Sequence, residues 1–167
     1  MSFEDITFLF TDKLHEVIGA KLKEKNLSIG TVESCTGGML AAQISSVSGA
    51  SEYFMGSLLT YSNEMKSKLA GVDVELIEEF GAVSQEVACA MAEGGRNKLN
   101  VSVCISTTGI AGPTGGTKTK PVGLVWIAIA TSTRTISKSF QYGDQRERNI
   151  QMAVASALNL LRYEVLS

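Results

Sequence analysis

The run Glu33-Ser34-Cys35-Thr36-Gly37-Gly38 sets a carboxylate, two kinds of nucleophile, a hydroxyl and two glycines in a row. Leu27, Ile29 and Thr31 alternate with Ser28, Gly30 and Val32 before it, and the apolar stretch 39–47 follows it. This reads as strand, turn and helix, the placement that exposes a nucleophile in many hydrolases, although GxSxG is absent. A serine hydroxyl needs a base. The single histidine, His15, lies beside the stripe of the first helix with no second ligand or triad partner near it, so Ser-His-Asp chemistry has weak support. A lysine can serve instead if burial or a nearby cation keeps its amine partly neutral. Lys66 is the best placed, about one turn into the helix after the second strand, with Tyr61 and Asn63 at that strand's end. Lys68, two positions on, points to a different helix face. Cys35 is a rival nucleophile, but adjacent residues at a strand end point oppositely, so one of Ser34 and Cys35 faces inward. On spacing alone the simpler reading is helix capping by Ser34 or Thr36, with Glu33 as a capping carboxylate and Lys66 as a solvated surface lysine.

The elements that must position these groups follow from periodicity. Ile6, Leu9, Phe10, Leu14, Val17, Ile18 and Leu22 form one helical stripe over 3–25. A strand over 54–61 leads into the helix that carries Lys66. The stretch 74–81 reads as another helix, stopped by Gly81, and Ser84 caps the next, in which Gly94–Gly95 weakens the final part. A third strand over 101–108 opens into a twelve-residue Gly-rich loop, 109–120. Pro121 begins a long apolar strand, which pairs across 131–134 with an edge strand over 134–142. A last helix covers 145–166. Strands alternating with helices, plus one short connection, predict an α/β fold with a mixed, mostly parallel sheet in one domain. If the first and third strands are parallel, both Gly-rich loops line one crevice at their carboxyl ends. Neither loop is a Walker A or a GxGxxG motif.

Composition narrows the function classes. The chain has 167 residues, 44% hydrophobic and 19% charged, with a net charge of −2 and no basic run. Nucleic-acid binding through phosphate neutralisation is not favoured. No apolar run is long enough to span a membrane, and the N-terminus lacks the basic region of a signal peptide. Three cysteines without a CxxC read as reduced thiols of a cytoplasmic protein, and with one histidine they do not make a metal site. Phe8 or Phe10 on the first helix is a candidate oligomer face.

The ordered motifs ESCTGG, TYSNEMK…LAGV, GAVSQEVA and STTGIAGPTGGTKTKPVGLVW resemble the C-terminal domain of the competence/damage-inducible CinA proteins, which also occurs alone. The resemblance runs from about Glu16 to the last helix. It implies a three-layer α/β/α sandwich. It also implies an amidohydrolase that converts nicotinamide mononucleotide to nicotinate mononucleotide and ammonia in pyridine nucleotide recycling, with no cofactor and no metal. The partner implied is a small nucleotide, and the chain is expected to form a homo-oligomer. The family's serine and lysine fall on Ser34 and Lys66, with Tyr61 beside them as a third catalytic residue and Asn63 as a substrate contact. The oxyanion donors fall on Thr36, Gly37 and Gly38. The second loop, with Thr108, Gly109, Gly112 and Gly115, would hold the ribose phosphate together with an arginine. The family's Gly-Asp-Arg reads Gly143-Asp144-Gln145-Arg146 here, which leaves Arg146 and Arg148 as candidates. The rival readings are a nucleotide-binding regulatory relative without turnover, a Cys35 hydrolase and a structural oligomer subunit.

Overall fold

The computed structural model describes residues 14–167. Helix α1 (Leu14–Glu24) precedes β1 (Ile29–Glu33), α2 (Met39–Ser45), a 3-10 turn (Ala50–Glu52) and β2 (Phe54–Leu59). Helices α3 (Asn63–Ala70), α4 (Val74–Phe80) and α5 (Gln85–Leu99) follow. The chain then forms β3 (Val103–Gly109), β4 (Leu124–Ala130), β5 (Thr135–Gln141) and α6 (Arg146–Glu164). The start of the expected first helix, and with it Phe8 and Phe10, lies outside the described residues.

The five strands run in the order β2-β1-β3-β4-β5. β1 is parallel to β2 and to β3, and β4 and β5 add antiparallel pairs at the far edge. The fold is a three-layer α/β/α sandwich around a mixed sheet. One layer buries Leu14, Ile18 and Leu22 of α1, Leu40 and Ile44 of α2 and Ala157, Leu158 and Leu161 of α6 against Ile29, Ile105 and Ile127. The other packs α3, α4 and α5 against Val32 and Cys104 through Ala70, Ile77, Val87 and Met91.

Register decides where chemistry can occur. Glu33 pairs with Leu59 on one side and Thr107 on the other, so the carboxyl ends of three parallel strands meet at one edge. This is where open α/β sheets bind ligands.

Two sequence expectations change. Gly94 and Gly95 do not interrupt α5, which is continuous. They make it fit: a Cβ on Gly94 would lie 1.7 Å from the Ala70 carbonyl oxygen, and one on Gly95 would lie 2.1 Å from Val32 Cγ2. Their helix-propensity cost of about 1 kcal/mol each permits the close approach that seats α3 and its Lys66. Pro121 does not begin β4. It precedes a turn in which the Gly123 N–H donates to the Ile110 carbonyl at 2.7 Å, and the strand starts at Leu124.

Candidate active site

Strand parity separates the three chemical groups of the first turn. Ile29 and Cys35 pack in the core beneath α2 and α6, whereas Val32 packs in the core beneath α3 and α5. Odd-numbered Glu33 and Cys35 therefore share one side of the sheet, and Ser34 is turned to the side of α3. The Ser34 N–H still extends the sheet ladder, donating to the Thr107 carbonyl at 3.0 Å.

Glu33 is fully buried and supplies the helix cap. Its Oε2 accepts from the amides of Gly38 and Leu40, both at 3.0 Å, and from Thr36 Oγ1 at 2.7 Å. Its Oε1 accepts from the Ala41 amide at 2.8 Å and Thr31 Oγ1 at 3.2 Å, with Ser57 Oγ at 3.5 Å. The Gly38 amide leads into α2 from a backbone φ of 99°, a conformation that suits glycine. Burying a bare carboxylate costs several kcal/mol, and hydrogen bonds to a charged group each return about 1.5–3 kcal/mol. This donor set is what allows the burial. Ser34 and Thr36 therefore do not cap the helix.

Lys66 comes from the opposite side. Ser62 caps α3, accepting from the Met65 amide at 3.2 Å. One turn on, Lys66 is 2% exposed, with its Nζ 3.1 Å from Ser34 Oγ and donating to the Thr60 carbonyl at 3.0 Å. No carboxylate pairs with it among the described residues. Burial lowers its pKa below the usual 10.5, because a charged amine loses more solvation than a neutral one. A neutral Nζ can give one proton to Thr60 and present its lone pair to the Ser34 hydroxyl. Lys68 instead pairs with Glu64 in solvent. Cys35 is buried in the core beneath α2 and α6, where desolvation pushes its thiol up to about 12. A protonated thiol at that depth is a poor nucleophile.

The expected oxyanion donors need correcting. The Gly37 amide donates to the Ser34 carbonyl at 3.1 Å, and the Gly38 amide belongs to Glu33. The Thr36 hydroxyl is shared between Glu33 and Thr107 Oγ1, the latter at 2.7 Å. The N–H groups of Cys35 and Thr36 donate to no backbone carbonyl among the described residues, and the Cys35 N–H lies against its own thiol. These are the two amides next to Ser34 that the backbone network of the turn leaves available.

The second loop is brought alongside by the start of α6. Arg146 donates through Nη1 to the Gly112 carbonyl at 3.0 Å and through Nη2 to the Tyr61 hydroxyl at 2.9 Å. Asn149, 1% exposed, donates to the carbonyls of Ala111 and Gly143, each at 2.9 Å. Arg148 lines a different depression of about 390 Å³ with Tyr142, Asp144 and Met152. Asn63 is exposed at the start of α3, and Gly115 is exposed at φ 90°. Thr108 is 1% exposed and donates to the Ala82 carbonyl at 2.7 Å, so its hydroxyl proton holds the segment before α5. Gly109 serves packing, since a Cβ there would lie 2.7 Å from the Leu124 carbonyl oxygen.

Sequence reasoning missed the Thr60 carbonyl, Thr107 and the Cys35 amide. Backbone groups carry no side-chain signature, and Thr107 enters only through the β1–β3 pairing. Among the described residues no cluster of three His, Cys, Asp or Glu could hold a metal, and no helix is long and apolar enough to cross a membrane.

Residues 11–165 match the family model of the CinA C-terminal domain. A CinA-like protein of Cytophaga hutchinsonii is 43% identical over 92% of this chain, and one of Chloroherpeton thalassium is 47% identical over 89%. The chain spans only 37% and 36% of the lengths of those two relatives. Among solved structures, the competence/damage inducible protein CihA of Agrobacterium tumefaciens superposes with a TM-score of 0.88 at 34% identity, covering 90% of this chain and 92% of that one. A CinA superfamily protein of Escherichia coli gives 0.89 at 28% identity, covering 96% and 91%.

Proposed function

The chain belongs to the CinA C-terminal domain family, and on that premise we propose that it hydrolyses the carboxamide of nicotinamide mononucleotide, yielding nicotinate mononucleotide and ammonia. The observation that carries this reading is the 3.1 Å approach of buried Lys66 to Ser34 at the junction of three parallel strands. A lysine buried without a counter-ion is costly to fold, and a base beside a serine hydroxyl gives it a use.

Neutral Lys66 takes the Ser34 proton as Oγ attacks the carboxamide carbon. The carbonyl electron pair moves to oxygen, which the Cys35 and Thr36 amides stabilise at about 3–4 kcal/mol per donor. On collapse the C–N bond breaks, and protonated Lys66 gives its proton to the departing nitrogen, which leaves as ammonia. Water then enters. Lys66 takes a proton from it, hydroxide attacks the ester carbon, and the Ser34 alkoxide leaves and is reprotonated by Lys66. Arg146 exchanges its bonds to Gly112 and Tyr61 for substrate phosphate, and the exposed Tyr61 side chain contacts the nucleotide beside it. Holding the phosphate fixes the distant ring against Ser34, which an unactivated amide requires.

The test is a mass-balanced assay with purified protein and nicotinamide mononucleotide. Nicotinate mononucleotide and ammonia should appear one to one, and Ser34→Ala should abolish both. Binding of the nucleotide with no product at any pH from 6 to 10 would sink the enzyme reading in favour of a regulatory nucleotide-binding domain.

A further inference from the structure

We infer that Glu33 is a positioning residue for the serine nucleophile: its buried carboxylate is the internal anion around which the Ser34 turn is built. The inference rests on Ser34 being reactive. Glu33 precedes Ser34 directly and lies on the opposite side of the sheet, so it cannot touch a substrate held at Ser34 on the α3 side. What it does touch is the rest of the turn. It takes the Thr36 hydroxyl and the amides of Gly38, Leu40 and Ala41, and through Thr31 and Ser57 it reaches β1 and β2. Thr36 is also bound to Thr107 of β3. One carboxylate thus ties the turn to the three parallel strands.

Two consequences follow for chemistry. First, the Gly38, Leu40 and Ala41 amides are saturated by Glu33, so the start of α2 does not recruit the phosphate of the substrate. That task falls to Arg146 and the second loop. Second, holding Thr36 by its side chain leaves its backbone N–H beside Ser34 without a backbone acceptor, like that of Cys35. A glutamine at position 33 keeps the shape but turns one acceptor into a donor. An N–H then faces either Ala41 or the Gly38 and Leu40 amides, and the turn must open on that side.

The experiment reads Ser34 reactivity without any nucleotide, using a small fluorophosphonate and intact-mass detection of the Ser34 adduct. Glu33→Gln should label about a hundredfold more slowly than wild type, in line with the loss of an oxyanion donor. The apparent probe affinity and the pH midpoint of labelling should not change. The unchanged midpoint separates positioning from general loosening, because water reaching Lys66 would move the midpoint up toward 10.5. Thr36→Val, which keeps the charge and removes one 2.7 Å donor, should slow labelling about tenfold and covers the case in which Glu33→Gln fails to fold. Wild-type labelling rates in both variants, or a raised midpoint in Glu33→Gln, would overturn the positioning role alone. Wild-type protein that takes no label would overturn the serine reading and this role with it. Labelling without turnover of nicotinamide mononucleotide would overturn only the substrate.

Discussion

The two Gly-rich loops look alike on paper and do opposite jobs. In the turn after β1, Glu33, Ser34, Cys35 and Thr36 are all buried and nearly every polar group is bonded inside the protein. In the loop after β3, residues 113–119 are exposed, and the anchors are Arg146 and Asn149 of α6 gripping its first carbonyls. The difference is a buried charge. The carboxylate under the first turn collects the amides of Gly38, Leu40 and Ala41 and the Thr36 hydroxyl, which ties the turn down around one centre. The second loop has no such centre: Gly109, Gly112 and Gly116 are packed closely against Leu124 and Val122, and Gly115 has room around it. Glycine content marks where backbone comes close to something, and the charge beneath it decides whether the result is rigid.

The comparison can be broken at three points. The largest effect is expected at the rigid end. Lys66→Met should reduce ammonia release by more than about a thousandfold, as loss of a catalytic base does. It should also raise thermal stability, because it removes an amine that is costly to bury. The sign follows from the lowered folded pKa: between that value and 10.5 the unfolded chain binds more protons, so wild-type stability rises with pH across this window. The stability gain of Lys66→Met should therefore be greatest at low pH and vanish as pH nears 10.5, as melts across a pH series would reveal. A gain independent of pH would mean that Lys66 is not held neutral. A middle-sized effect belongs to the second loop. Arg146→Ala should raise KM for nicotinamide mononucleotide by about ten- to a hundredfold, the scale of one charge-assisted contact, with kcat changing less. Arg148→Ala should leave both parameters near wild type, and the reverse pattern would reassign the phosphate. The smallest effect tests the border between the loops. Thr108→Val should cost about 1 kcal/mol of stability and leave kcat and KM unchanged, since its hydroxyl serves the Ala82 carbonyl. A raised KM would return Thr108 to the ligand site.

Much of this molecule was legible before any coordinates. Among the described residues the strands and helices fall close to where alternation and three-four spacing put them, apart from the later start of β4, because burying one face of each element needs that pattern. Parity also predicts that Ser34 and Cys35 diverge. One local signal misled. The Gly94–Gly95 pair reads as weakness in a helix, yet it is a close-packing surface for Ala70 and Val32. Thr108, at the start of the second loop, faces the side of α5 because residues 104, 106 and 108 share one side of β3.

The chain's own pattern is enough for the fold class, the resemblance that singles out Ser34 and Lys66, and the side of the sheet each strand residue takes. These are local or pairwise properties of a repeating backbone. The packed structure was needed to show that Lys66 is buried with no counter-ion among the described residues, that Glu33 takes the amides of Gly38, Leu40 and Ala41, that the Cys35 and Thr36 amides have no backbone acceptor there, and that Arg146 meets Tyr61 across 85 residues of chain. Those facts depend on desolvation and on which donors compete for one acceptor. Both are set by groups that meet only when β1, β2 and β3 align their carboxyl ends.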